Sequence, residues 1–159
     1  MAKRQFAVIG LGRFGRALAE DLSFFMAKSA LARVAMAQGD VPTAIAELEQ
    51  AVQLKEDDAQ LRLEYGVALL QALPPRGADA EVQFRKAIEL QPWFSLAYYN
   101  LGQALDAQEK RAEALAVYQQ YLARSPKRAI ALNVKAGQRV KALLAAGVSP
   151  APTTVGSLP

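Results

Sequence analysis

The sequence predicts an all-α protein made of stacked antiparallel helix-turn-helix pairs, closed by one further helix and preceded by a short strand-turn-helix segment. Three observations carry this expectation. Apolar residues recur at helical spacing, most clearly as Tyr98, Leu101 and Leu105 followed by Leu115, Tyr118 and Leu122. Small residues recur at fixed intervals on the inward faces, where a larger side chain would hold two helices apart. Alanine is abundant and β-branched residues are sparse, which favours closely packed helices over sheet.

The first segment is residues 1–22. Phe6–Ile9 is a compact apolar run of strand type, and Gly10-Leu11-Gly12-Arg13-Phe14-Gly15 matches G-x-G-x-x-G ahead of a helical stretch. In such a unit the first glycine makes the turn, the second admits a pyrophosphate, and the third lets the helix lie close on the strand. KRQFAVIGLGRFGRALA resembles the opening of the regulatory nucleotide-binding (Rossmann) domain of Trk/Ktr-type bacterial potassium-uptake systems. That resemblance implies binding of NAD(H) or ATP by Gly10, Gly12, Arg13 and Gly15. The family then needs a second strand ending in an acid, but Ala27–Gln38 is helical in pattern and carries none. The segment is therefore expected to be a truncated remnant, left by fusion or truncation.

From Phe25 onward a repeat is legible. Leu31-Ala32 precede Tyr65-Gly66 by 34 residues, and these precede Leu101-Gly102 by 36. On the second-helix side Ala44, Ala80 and Ala114 line up, as do Leu48, Phe84 and Tyr118, and Ala51, Ala87 and Tyr121. Gly66 to Ala80 spans 14 residues, against 12 for Ala32 to Ala44 and for Gly102 to Ala114. Two extra residues thus fall in the turn around Leu73–Asp79, where an insertion is tolerated.

This period, with small residues at fixed places and Pro92 and Pro126 closing two of the pairs, resembles the tetratricopeptide repeat. Repeats are expected at 25–58, 59–94 and 95–128, with Gly39-Asp40 as an inter-helix turn. Departures from the pattern are Glu56 in place of a proline, Arg62 at an aromatic position and Tyr121 at a small one. Ala129–Ala146 reads as a capping helix, needed because a last repeat otherwise exposes an apolar face. Gly147 ends it, and 147–159 is expected to be a disordered tail. The resemblance implies a right-handed superhelix whose concave groove is lined by the first helix of each pair. Arg33, Leu63, Glu64, Val67, Leu96, Tyr99, Asn100 and Gln103 are the expected groove residues. Asn100 is the best polar candidate, since its amide can both donate to and accept from a peptide backbone. Chaperone-binding members hold a terminal carboxylate with lysine, arginine and asparagine. Here Ser29, Glu64 and Leu96 stand at three of those places, so no carboxylate clamp is expected.

Composition narrows the function class. There is no cysteine and no histidine, so thiolate and imidazole chemistry are unavailable. The acids Glu47, Glu49, Glu56, Asp57 and Asp58 sit where solvated helix ends would put them, and no catalytic or metal-ligating residue is assigned. Trp93 and Phe94 follow Pro92 at a repeat junction, where packing is their expected role.

The net charge of +4 is uneven. Residues 1–16 hold four basic groups and residues 124–159 six, neither with an acid. Taking those ten from the 19 basic residues leaves nine against all 15 acids in 17–123, a net of −6. The basic groups thus mark two ends, not the continuous stripe that would track phosphates, and nucleic acid is not expected as a partner. No apolar run approaches a membrane span. Arg13 and Arg16 interrupt the short apolar stretch after Lys3 and Arg4, which makes a poor signal peptide, and a cytoplasmic location is expected. The expected function is a non-enzymatic scaffold that binds a protein or peptide segment without a cofactor. The alternatives are a nucleotide-sensing regulator using Gly10–Gly15, and a fusion with no selected function as a whole.

Overall fold

A computed structural model describes residues 24–152 of the chain. The expected strand Phe6–Ile9, the glycine loop Gly10–Gly15 and the helix after it lie outside the described residues. Every regular element among those described is α-helical. The helices fall into two compact units, Met1–Glu56 and Asp57–Pro159.

In the first unit, α1 (residues 24–38) and α2 (Val41–Leu54) form one hairpin. Gly39 makes the turn at φ 78°, a left-handed conformation that suits a residue without Cβ. Asp40 then caps α2, its carboxylate accepting from the Thr43 N–H at 3.2 Å. Pro42 sits in the first turn, where its missing N–H breaks no helical hydrogen bond. Ala32, Ala35, Ala44, Leu48, Ala51 and Val52 are buried. Lys28 and Glu47 pair across the hairpin at 2.8 Å.

The second unit holds α3 (Ala59–Gln71), α4 (Gly77–Leu90), α5 (Ser95–Ala107), α6 (Arg111–Arg124) and α7 (Ile130–Ala145). Asp58 caps α3 by accepting from the N–H groups of Gln60 and Leu61, at 2.9 and 3.0 Å. The α3–α4 connection covers residues 72–76 and the α5–α6 connection 108–110, so the two extra residues do lie in that turn. Glu109 stands 70 residues after Gly39 and adopts the same left-handed backbone, φ 59°, without being glycine. Helix α6 ends at Arg124, just before Pro126.

The small-residue positions work by letting rings approach. A Cβ on Gly66 would lie 2.5 Å from the Phe84 ring, and one on Gly102 would lie 2.6 Å from that of Tyr118. In these two hairpins the first helix therefore touches the second through a bare backbone filled by an aromatic side chain. Polar links join successive pairs. Glu81 on α4 accepts from Gln108 and Lys110, both at 2.9 Å, and from Arg85 at 2.8 Å. Burial raises the Glu81 pKa, but the hydrogen bonds from Lys110, Arg85 and Gln108 outweigh it and hold the carboxyl below its ordinary value.

One expectation is corrected. Trp93 does not pack at the repeat junction; it is 76% exposed. Of the tail expected at 147–159, residues 147–152 are among those described. Gly147, at φ 76°, ends α7 as expected, but the Val148 N–H donates to Leu143 O and the Ala151 N–H to Ala112 O at 3.0 Å. Residues 148–152 thus return along the start of α6 instead of leaving the fold.

Gly102→Ala is expected to cost about 1–3 kcal/mol through overpacking against Tyr118. Gly137→Ala, where an added Cβ meets nothing within 4 Å, should add roughly 0.5–1 kcal/mol from helix propensity. Urea unfolding of both variants checks the opposite signs. The lowered Glu81 pKa means that its stabilisation is complete above the unfolded value and is lost as pH falls through the folded one. Glu81→Gln should therefore flatten the loss of thermal stability between roughly pH 5 and pH 3, as followed by circular dichroism.

Candidate functional site

One long stripe of α5 is the face expected to meet a partner. Leu96, Tyr99, Asn100, Gln103 and Asp106 follow one another at spacings of three and four residues, so they share a side of the helix. Helix α3 is its neighbour and presents Gln60, Glu64 and Val67 at the matching register.

The stripe is not uniformly open. Gln103 is exposed and Leu96 half-buried. Tyr99 is buried because its ring lies edge-on to Tyr118, centroids 6.0 Å apart, and tilted against Tyr121 at 5.4 Å. Burial and the neighbouring Tyr121 push the Tyr99 hydroxyl above its ordinary pKa. Asn100 is 8% exposed, and its amide has no hydrogen-bond partner among the described residues. The amide keeps contact with solvent at the surface of the helix, so its donor and acceptor are open to an incoming group. On α3, Val67 and Glu64 are half-buried, and Glu64 accepts from Gln60 at 3.0 Å. Leu63 is almost wholly buried and belongs to the core, so its side chain offers little to a partner. In the first unit Arg33 is exposed and donates to the buried Ser29 at 3.0 Å.

Charge on this face is set by Asp106. The Tyr118 hydroxyl donates to it at 3.1 Å, and Arg139 of α7 grips both its oxygens, at 2.8 and 2.7 Å. This bidentate pairing holds the Arg139 guanidinium above its ordinary pKa, through the Asp106 hydrogen bonds first. Burial, then the Asp106 charge, pushes the Tyr118 hydroxyl well up. Helix α5 carries no cation, and the one cation of α3, Arg62, reaches Gln83 on α4 at 3.0 Å. Among the described residues no group of acids could hold a metal ion, and no helix is long and apolar enough to cross a membrane.

The sequence reading missed two contacts. Tyr121, taken as a departure from a small-residue position, is 1% exposed and supports Tyr99; its hydroxyl is buried with no partner among the described residues. The signal was present, since the third repeat changes both positions together: Tyr99 stands where the earlier repeats have Ser29 and Leu63, and Tyr121 where they have Ala51 and Ala87. The Asp106–Arg139 link had no such signal.

Helical hairpins that repeat at a fixed period, with a small residue at each helix contact, define a helical-repeat module. The profile of the tetratricopeptide repeat family matches residues 29–92, 76–129 and 99–137, and the chain belongs to that family. Solved structures agree on the fold. The first TPR of Spaghetti (RPAP3), bound to the HSP90 peptide SRMEEVD, superposes with a TM-score of 0.67 at 20% identity, over 78% of this chain and 95% of that one. The Arabidopsis OM64 TPR domain gives 0.69 at 20% identity, over 77% and 96%. The second TPR domain of human RPAP3, in complex with the HSP70 peptide SGPTIEEVD, gives 0.69 at 18% identity, over 78% and 98%. None of the curated proteins compared with the sequence matches it.

Removing Arg139 should expose how much the α5–α7 link contributes. Arg139→Gln leaves Asp106 with a single neutral donor and is expected to cost about 1–3 kcal/mol in urea unfolding. Adding Asp106→Asn should restore part of the loss, a coupling that a double-mutant cycle reads directly.

Proposed function

We propose that the chain is a non-enzymatic scaffold that holds a peptide or partner segment on the face lined by α3 and α5. The observation that carries this is Asn100, a nearly buried amide with no hydrogen-bond partner among the described residues, set between Leu96 and Gln103. An extended peptide supplies the backbone donor and acceptor that such an amide lacks. Leu96, Val67 and the edge of Tyr99 offer apolar contact around it, with Gln103 and Glu64 at the margin. The peptide complexes of the structurally similar RPAP3 domains support a partner of this kind. Their peptides end in acids, however, and here no cation of α3 or α5 is placed to receive a terminal carboxylate. The partner is thus a protein segment recognised along its length. Nucleic acid and membrane are not among the proposed partners, no cofactor is involved, and the proposed location is the cytoplasm.

A second reading rests on one observation, the G-x-G-x-x-G of Gly10, Gly12 and Gly15 with Arg13. It would make the chain an NAD(H) or ATP sensor of potassium-transport type. Calorimetry separates the two: micromolar nucleotide binding that Gly12→Val abolishes would favour the sensor.

Selection of a random peptide library on the full chain tests the scaffold. Enriched peptides should lose about tenfold in affinity on Asn100→Ala, the worth of one or two backbone hydrogen bonds, with the melting temperature retained. Capping the carboxyl end of SRMEEVD as an amide should leave whatever affinity it has unchanged. Absence of any enriched peptide would sink the proposal.

A further inference from the structure

Helix α7 was expected to cap the stack. It leaves large apolar side chains of its own uncovered, Ile130 at 68% and Val134 at 51% exposed, beside the exposed Lys135 and Lys141. The places of Ile130 and Val134 in the register explain which face they occupy. A step of 34 residues, the same that separates Ala32 from Gly66, carries Gly102 forward to Ala136, which is fully buried. By the same step Ile130, Val134 and Gly137 stand at the positions of Leu96, Asn100 and Gln103. The partner-facing stripe of α5 is thus repeated on α7, with its polar members replaced by valine and glycine.

Two further observations say what fits there. An added Cβ on Gly137 meets nothing within 4 Å, so another backbone can approach the helix closely at that point. The surrounding charge has one sign. Lys127, Arg128, Lys135 and Lys141 are exposed and have no ion-pair partner among the described residues, residues 124–159 contain no acid, and Arg139 is already spent on Asp106.

We infer that the groove continues across α7, and that its occupant is an amphipathic segment of a partner protein with apolar anchors about one helical turn apart and acidic residues flanking them. This rests on the scaffold reading above. The apolar anchors lie on Ile130 and Val134, the backbone passes over Gly137, and the acids face Lys135, Lys141 and the α6–α7 turn. Charge complementarity then fixes orientation, since the half-buried carboxylate of Glu64 on α3 repels the acidic end and α7 attracts it.

The test uses three synthetic amphipathic peptides that share leucine anchors and differ only in their flanks: glutamate, glutamine or lysine. Fluorescence anisotropy with the full chain should show the glutamate peptide binding at least about tenfold more tightly than the lysine peptide, the gap closing as salt rises. Val134→Asp, and separately Lys135→Glu with Lys141→Glu, should each weaken the glutamate peptide about tenfold while the helical circular dichroism spectrum stays unchanged. Equal affinity for all three peptides, a preference for lysine, or no binding of any would overturn the inference. Weakening by Asn100→Ala but not by Val134→Asp would overturn the extension onto α7 and leave the groove on α5 intact. Self-association in sedimentation that Val134→Asp abolishes would assign the face to a second copy of the chain instead.

Discussion

The fold depends on a contact between a helix backbone and an aromatic ring. Phe84 and Tyr118 occupy the space that a Cβ would take on Gly66 and Gly102, so paired helices approach more closely than two ordinary side chains allow. A glycine inside a helix costs about 1 kcal/mol relative to alanine. Burying a ring the size of Phe84 returns roughly 1.5–3 kcal/mol, which more than offsets it. The first hairpin solves the same problem with different sizes: Ala32 and Leu48 stand at the corresponding positions and both are buried. A methyl facing leucine and a bare backbone facing a ring are two ways to fill one space.

Polar contacts then bind neighbouring pairs without adding net charge to the face between them. Glu81 gathers Arg85, Gln108 and Lys110, and Arg85 also reaches Glu113 at 3.2 Å, so the second helices of successive pairs are joined by charges of both signs. At the far end Asp106 takes Arg139 and Tyr118 together. The carboxylate that would have dominated the α5 stripe is neutralised, and what is left there is an amide, an exposed glutamine and apolar surface. Recognition on such a face depends on backbone hydrogen bonds and shape more than on charge.

How much of this could be read from residues alone follows a physical line. The period was legible because small residues, turn residues and prolines have local reasons to recur: Gly39, Asp40 and Pro126 each act within a few residues of themselves. The two-residue insertion in the α3–α4 turn was legible for the same reason. The Rossmann-like reading of residues 1–22 rests on a motif whose context the rest of the chain does not supply. What periodicity could not reveal was how side chains of one register compete for depth. Leu63, Tyr99 and Asn100 were grouped as groove residues, yet Leu63 is core, the ring of Tyr99 packs on Tyr118 and Tyr121, and the Asn100 amide has no partner among the described residues. Those outcomes turn on the bulk of Tyr121, a long-range partner, and on an arginine 33 residues from Asp106. The hydrogen bond from the Ala151 N–H to Ala112 O had no signal in composition, since it joins residues far apart in the chain.

The three glycines at helix interiors in the second unit carry the last step. Gly66 and Gly102 give up helix propensity and regain it through rings that fill their space. Gly137 gives up the same propensity and regains nothing from within the fold, since no atom lies within reach of an added Cβ. An unfilled vacancy on an exposed helical face, beside Val134 and one turn from Lys141, is a cost with no structural return. Proteins keep such local costs where function needs them, and the usual sign is that the stabilising substitution is easy to name. A partner backbone lying over Gly137 would fill its space as Phe84 and Tyr118 fill theirs.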